Sequence, residues 1–348
     1  MNATIKLEKK HFPVLLDELI SIISPLYGGT FIDCTFGQGG YSKKILENKN
    51  NKVIAIDRDL AVVKLASEFK KKYENRFYFE NIRFSEINKL KVNFQNLNGV
   101  IFDLGYSLNQ IKDYKRGLSF NSIGKLNMKL GLNSFSAHET VNYLDQKSLE
   151  KIFKFFGEEN KFKSISKKIV EQRKKKLLKT EDLVKIVNVV KSYKSSKINK
   201  STKVFQAIRI FVNKEVSELI NGLINSFKTL PLGGVIVVVT FHSIEDKIVK
   251  FFFKNYSENK NFSRYLPNLQ KNKKIFKLIN KKPILPSLKE IKSNPQSRSA
   301  KLRYAIKTAH EDNFEELYKK FKYLLEVENL SQKLWQELYW YFVSCFWL

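Results

Sequence analysis

Cysteine, histidine and arginine are scarce in this chain, and it has no long uninterrupted apolar run. Only two cysteines occur in 348 residues, Cys34 and Cys345, with no C-x-x-C pair and only four histidines. That scarcity argues against a disulfide framework and against a structural zinc site, so no metal is expected and a reducing cytoplasm is the natural setting. The opening MNATIKLEKKHFPVLL lacks the apolar core of a signal peptide, so export is not expected. The closing LWQELYWYFVSCFWL is rich in aromatics but too short, and too interrupted by Gln and Glu, to cross a bilayer. It reads as a helix docked on the body or an unselected extension, and no membrane partner is implied. No internal repeat is visible.

What is abundant is lysine. The formal net charge is +29, from 63 Lys and Arg against 34 Asp and Glu, yet only nine of the cations are arginine. Such an excess favours a polyanionic partner, because each neutralised phosphate releases counterions. Codon bias in an AT-rich genome would also raise Lys, Asn and Ile together, so the charge alone leaves two explanations standing. With 43% hydrophobic residues the chain can bury one large core or two smaller ones.

Apolar runs bounded by turn signals alternate with helical patterns. TFIDCTF (30–36), KVIAIDRD (52–59), RFYFENI (76–82) and GVIFDLG (99–105) read as strands separated by helices, which predicts a parallel sheet covered on both faces. A fifth strand, GGVIVVVTFHS, comes only at 233–243, and KIFKLI with AKLRYAIKT reads as a terminal pair. The stretch from about 112 to 212 has no strand and reads as a helical insertion. Phe205, Ile208, Val212, Val216, Leu219, Ile220, Leu223 and Phe227 fall at helical spacing and predict one helix leading back into the sheet.

The segment FIDCTFGQGGYS runs from a strand into Gly37, Gly39 and Gly40 and then opens a helix, bringing bare backbone close to a ligand. Ser42 stands where a dinucleotide fingerprint wants its third glycine. Asp33, at the end of the strand, would repel a pyrophosphate but suits an ammonium group. Asp57 ends the second strand twenty residues after Gly37, where a carboxylate commonly accepts ribose hydroxyls. With Asp103, three successive strand ends carry a carboxylate at the edge where open α/β sheets bind ligands. The pattern fits a nucleoside that bears an amino acid and no phosphate, as S-adenosylmethionine does. Plainer roles are open to each: a tight turn for the glycines, a cap for Asp33, a surface lysine for Asp57.

HFPVLLDE, IDCTFGQGGYS, AIDRD, FDLGYSLNQ, FGEE, FQAIRIFVNKE, GGVIVVVTFHSIEDKIVK and NPQSRSAKLRYA occur in that order. Over about residues 11–308 the chain resembles the bacterial family of 16S rRNA (cytosine 1402-N4) methyltransferases. The resemblance implies a class I, Rossmann-like α/β methyltransferase with a mostly parallel seven-stranded sheet interrupted by a helical domain. The implied division is 1–111 and 213–308 for the methyltransferase domain, 112–212 for the insertion and 309–348 for an extension of unknown role. It further implies S-adenosylmethionine contacts at Gly39, Gly40, Tyr41, Asp57, Phe84, Asp103 and Gln110, and 16S rRNA in the 30S subunit as substrate; it leaves a homodimer open. Three stretches depart from the family's pattern: Tyr41 replaces His, DLGYSLNQ stands for D-L-G-V-S-S-P-Q, and LNMKLG for L-D-M-R-M-D.

Methyl transfer from a sulfonium needs alignment more than a metal or a nucleophilic side chain. Asp103 to Tyr106, DLGY, is similar to the D-P-P-Y motif of amino-methyltransferases, whose acidic and aromatic groups hold and stack on the base. His242, in TFHSIED, is placed to accept a proton or meet RNA, or merely to cap the following helix with Ser243. Arg209, Arg298, Lys301 and Arg303 are the candidate RNA contacts, with Arg209 equally suited to a buried carboxylate, and Arg173 to Lys176 reads as a solvated face. Two other functions stay open. One is a nucleotide-sugar or nicotinamide enzyme on the same fold. The other is an RNA-binding ribosome-assembly factor without turnover, which the altered loops would suit.

Overall fold

The computed structural model describes residues 13–24, 27–107, 110–111, 113–133, 135–191, 199–257 and 274–332. The aromatic tail with Cys345 and the first twelve residues lie outside them. The seven expected strands are all present: β1 Gly29–Asp33, β2 Asn51–Ile56, β3 Phe77–Glu80, β4 Leu97–Asp103, β5 Val235–Thr240, β6 Phe276–Lys277 and β7 Lys301–Lys307. They form one sheet in the order β3-β2-β1-β4-β5-β7-β6. The first five run parallel; β7 is antiparallel to β5, and β6 to β7.

Parallel strands must be covered on both faces, and the alternation of side chains divides the apolar residues accordingly. Ile32, Val100, Phe102, Ile236 and Val238 enter one core, while Phe31, Ile101, Val237 and Val239 enter the other. The second core is closed by α1 Leu16–Ile23, α2 Gly40–Leu46 and α3 Val63–Lys72.

The first is closed by the helices between β4 and β5: α4 Ala137–Tyr143, α5 Gln146–Phe155, α6 Phe162–Arg173, α7 Thr180–Val190, α8 Thr202–Asn213 and α9 Glu215–Thr229. Their buried side chains, Leu149, Ile186, Ile208 and Leu223 among them, are continuous with those under β4 and β5. The helical insertion therefore shares its core with the sheet.

The single helix expected over 205–227 is in fact two. Asn213 ends α8, and Lys214 adopts the left-handed conformation (φ 49°) that turns the chain before α9 begins. Apolar spacing survives across that corner because both helices bury their apolar side chains in the same core. Periodicity alone could not reveal the break. The remaining helices are α10 Ser243–Asn255, α11 Leu288–Ser293 and α12 Glu315–Glu328, the last packed on α9, α5 and α10. Among the described residues no helix is long and apolar enough to cross a membrane.

Candidate active site

Strand order reverses between β1 and β4, so a crevice opens beyond the carboxyl ends of those strands. Two adjoining cavities of about 110 and 320 Å³ occupy it. Gly37, Asp103 and Tyr106 line both.

The three glycines of the first turn have different reasons to be glycine. At Gly37 (φ 50°) an added Cβ would meet only the Thr35 carbonyl, at 3.7 Å, so the space above it is open to a ligand. At Gly39 (φ 70°) a Cβ would lie 2.6 Å from the Phe69 ring and 3.0 Å from Phe36, and at Gly40 it would lie 2.2 Å from Pro13. Packing therefore dictates Gly39, which lines neither cavity; Gly40, also packed, does line the larger one. Tyr41 lines it too, with its hydroxyl donated to the Val14 carbonyl.

Asp57 sits beyond the end of β2. Its Oδ2 accepts the Gly37 N–H at 2.8 Å and its Oδ1 the Asp59 N–H at 2.8 Å. Each oxygen keeps a lone pair for a further donor, and the side chain lines the smaller cavity. Burial pushes its carboxyl above the usual range.

Asp33 departs from expectation. It is fully buried, lines neither cavity, and spends Oδ2 on the Ser42 hydroxyl (2.6 Å) and Oδ1 on the Thr35 N–H (3.2 Å). Burial raises it to about 6. Its carboxylate fastens the start of α2 to the end of β1, because Ser42 on the first turn of that helix lies directly over it.

Asp103 does reach the crevice. Its Oδ1 accepts the Gly105 N–H at 3.0 Å, and its own N–H donates to Thr35 Oγ1 at 2.7 Å. Burial, reinforced by the nearby Asp33 charge, raises its carboxyl to about 7.

Gln110 lines the smaller cavity but is also tied down: its Nε2 donates to Asp59 Oδ2 at 2.8 Å and its Oε1 accepts the Ser107 N–H at 3.1 Å. Asp59 accepts two bonds from Arg116 as well, and against the cost of burial these donors hold it below the usual carboxylate range. Phe84 lines the same cavity, edge-on to Phe102 and against Gly222, where a Cβ would come within 2.5 Å of its ring. Glu218 fixes the next residue by accepting the Ser85 N–H (3.1 Å) and hydroxyl (2.8 Å).

The helical side brings different elements together. Tyr106 donates its hydroxyl to Glu215 Oε1 at 2.8 Å. Arg209 grips both Glu215 oxygens at 3.0 Å and lays its guanidinium 4.0 Å from the centre of the Tyr106 ring. Although burial opposes it, Arg209 holds Glu215 below the usual range. Arg209 is thus committed to an ion pair, not free for RNA.

His242 lines the larger cavity and caps α10, with Nδ1 3.4 Å from the Glu245 N–H. Its Nε2 lies 2.9 Å from Glu245 Oε1 and 4.0 Å from Glu215 Oε2, without hydrogen-bond alignment to either. Glu215, His242 and Glu245 have a spacing that could hold a metal ion, but Arg209 already sets a cation on Glu215. Of the other basic candidates, Arg298 is exposed, whereas Lys301 and Arg303 share the Asp246 carboxylate at 3.0 and 2.7 Å.

Sequence reasoning assigned no role to Asp59, Arg116, Glu215 or Glu218. The available signal was a pair of carboxylates, Glu215 and Glu218, on an otherwise apolar helical stripe, since a charge in such a place requires a partner.

The model of the MraW methylase family matches residues 8–308. Curated relatives cover nearly the same span. A ribosomal RNA small subunit methyltransferase H from Orientia tsutsugamushi (strain Ikeda) is 43% identical over 305 residues, 85% of this chain and 98% of the relative. Proteins of the same description from Rickettsia canadensis (strain McKiel) and Afipia carboxidovorans are 40% and 38% identical, over 86% of this chain and 98% and 91% of theirs.

Proposed function

This chain belongs to the MraW methylase family, and from that premise we propose that it transfers a methyl group from S-adenosylmethionine to N4 of cytosine 1402 in 16S rRNA within the 30S subunit. The observation that carries the reading is the crevice at the β1/β4 switch point, where Gly37 leaves open space and Asp57 and Asp103 present carboxylates.

The residues fit such a cofactor. Asp57 would accept the ribose hydroxyls, the open face of Gly37 admits the chain joining ribose to sulfur, and Phe84 offers an aromatic wall to the adenine. The bound cofactor supplies a methyl group on an already activated sulfonium. The chain's part is to bring the cytosine amine into line and to manage its protons.

Asp103, half-buried on the cavity wall with its carboxyl raised to about 7, is suited to accept a hydrogen bond from the exocyclic amine and then its proton near neutral pH. Tyr106, stiffened by Glu215 and stacked on Arg209, lines both cavities and is placed to orient the base. The cytosine must leave its stack to reach this depth. Exposed Arg298 and the lysine-rich surface then serve the flanking phosphates.

The test is transfer of labelled methyl from S-adenosylmethionine to 30S subunits that lack the modification, with the labelled nucleoside identified by mass and Asp57→Ala as control. N4-methylcytidine that disappears in the control supports the proposal. Cofactor and RNA binding without label would point instead to an assembly factor.

A further inference from the structure

Helix α9 delivers Glu215 to the cleft from its first position, and its first turn has no cap of its own. Lys214 is at once the last residue of the turn out of α8 and the N-cap of α9, and its side chain makes no capping bond. The corner is too tight to accommodate a separate capping residue, yet amides of that turn are buried and need acceptors.

The acceptor arrives from α12. Glu328, the last residue of that helix, takes the Val216 N–H on Oε1 at 2.7 Å and the Ser217 N–H on Oε2 at 3.0 Å. It is only 2% exposed, and although burial raises its carboxyl to about 7, both of its oxygens are aimed at the positive end of the α9 dipole. At the other end of α9 the buried amine of Lys307 donates to the Phe227 and Leu230 carbonyls at 2.8 and 2.6 Å. The helix is thus held at both ends by side chains remote in sequence. Lys307 lies within the family match, which ends at residue 308, and Glu328 lies beyond it.

We propose that Glu328 is a positioning residue for the cleft: from outside the family segment, α12 supplies the cap that fixes the Lys214–Val216 corner and so aims Glu215 at Arg209 and Tyr106. If α12 served only as adhesive, Leu317, Phe321, Leu324 and Val327 would suffice. A buried carboxylate is costly unless its bonds are needed, and these bonds fall on the residues immediately after Glu215. The inference rests on reading the cleft as a methyltransferase site.

The test compares the full-length chain with Glu328→Leu, which removes both acceptors, and Glu328→Gln, which keeps one, at a temperature where circular dichroism shows all three folded. Hydrogen exchange over residues 209–219, S-adenosylmethionine affinity and steady-state transfer to 30S subunits are measured. Glu328→Leu is expected to speed exchange in 209–219 by about tenfold while β4 and β5 stay protected, and to cut kcat about tenfold with KM for the cofactor within about twofold. Glu328→Gln should fall between Leu and wild type. Unchanged exchange and kcat with only a lower Tm would overturn the proposal, as would faster exchange spread evenly over the sheet. If the wild type labels no RNA, the enzymatic reading fails, while the exchange contrast still decides whether Glu328 holds the corner.

Discussion

The two walls of the cleft are built in different ways. On the β1/β2 side, the carboxylates are satisfied chiefly by backbone N–H groups of the turns at the strand ends: Asp33 by the Thr35 N–H together with the Ser42 hydroxyl, Asp57 by the Gly37 and Asp59 N–H groups. On the helical side, Tyr106, Arg209 and Glu215 come from two separate regions of the chain and hold one another through side-chain contacts, with the His242 ring set beside Glu215 from a third. A wall made of local turns tolerates loss of one member, because the backbone that shapes it is fixed by the sheet. A wall made of mutually paired charges does not, because removing one strands another in a poorly solvated place.

That contrast can be broken most forcefully at Glu215. Glu215→Ala leaves Arg209 without its partner, and urea unfolding is expected to show a loss of about 3–5 kcal/mol. A loss under about 1 kcal/mol would mean that the helical wall is no more interdependent than the other. On the near side, Asp57→Ala should weaken S-adenosylmethionine binding by about 1.5–3 kcal/mol, read by titration calorimetry, while stability changes far less. Equal losses of binding and stability would erase the distinction.

The glycines sharpen it further. Gly39→Ala meets Phe69 and Phe36, and should cost about 1–3 kcal/mol of stability with little change in cofactor affinity among folded molecules. Gly37→Ala finds open space, so beyond the roughly 1 kcal/mol that its left-handed backbone (φ 50°) costs any side chain it should lose cofactor affinity, which Gly39→Ala keeps; the reverse pattern would show that the roles of the two positions are exchanged.

A further effect concerns pH. The folded-state carboxyl of Asp103 is raised from 3.8 to about 7, chiefly by burial. Its contribution to stability is therefore full below the unfolded value and is lost as pH rises through about 7. Chemical unfolding from pH 5 to 8 should show a decline that Asp103→Asn reduces, and an identical slope in the variant would remove Asp103 from the account.

Legibility followed the same division. The strands were readable because each is a short apolar run ended by a turn, and Gly37, Asp57 and Asp103 because a parallel sheet puts its ligand edge at strand ends. Asp33 obeyed the same rule yet turned inward, since nothing in the local pattern says that Ser42 sits over it. Arg209 could be narrowed to RNA or a carboxylate, but not to Glu215, because a sharp corner at Lys214 interrupts what reads as one continuous helical stripe.

The sequence by itself determined the order of strands and helices along the chain, the edge of the sheet at which the crevice opens and the excess of positive charge, because these follow from periodicity, turn chemistry and composition. Only the tertiary structure decided which carboxylates face the cleft, which cations are already paired, and that a helix beyond residue 308 caps the one carrying Glu215. Those outcomes depend on side chains separated by up to about a hundred residues meeting where water is excluded, and a buried polar group accepts whichever partner the packing brings within reach.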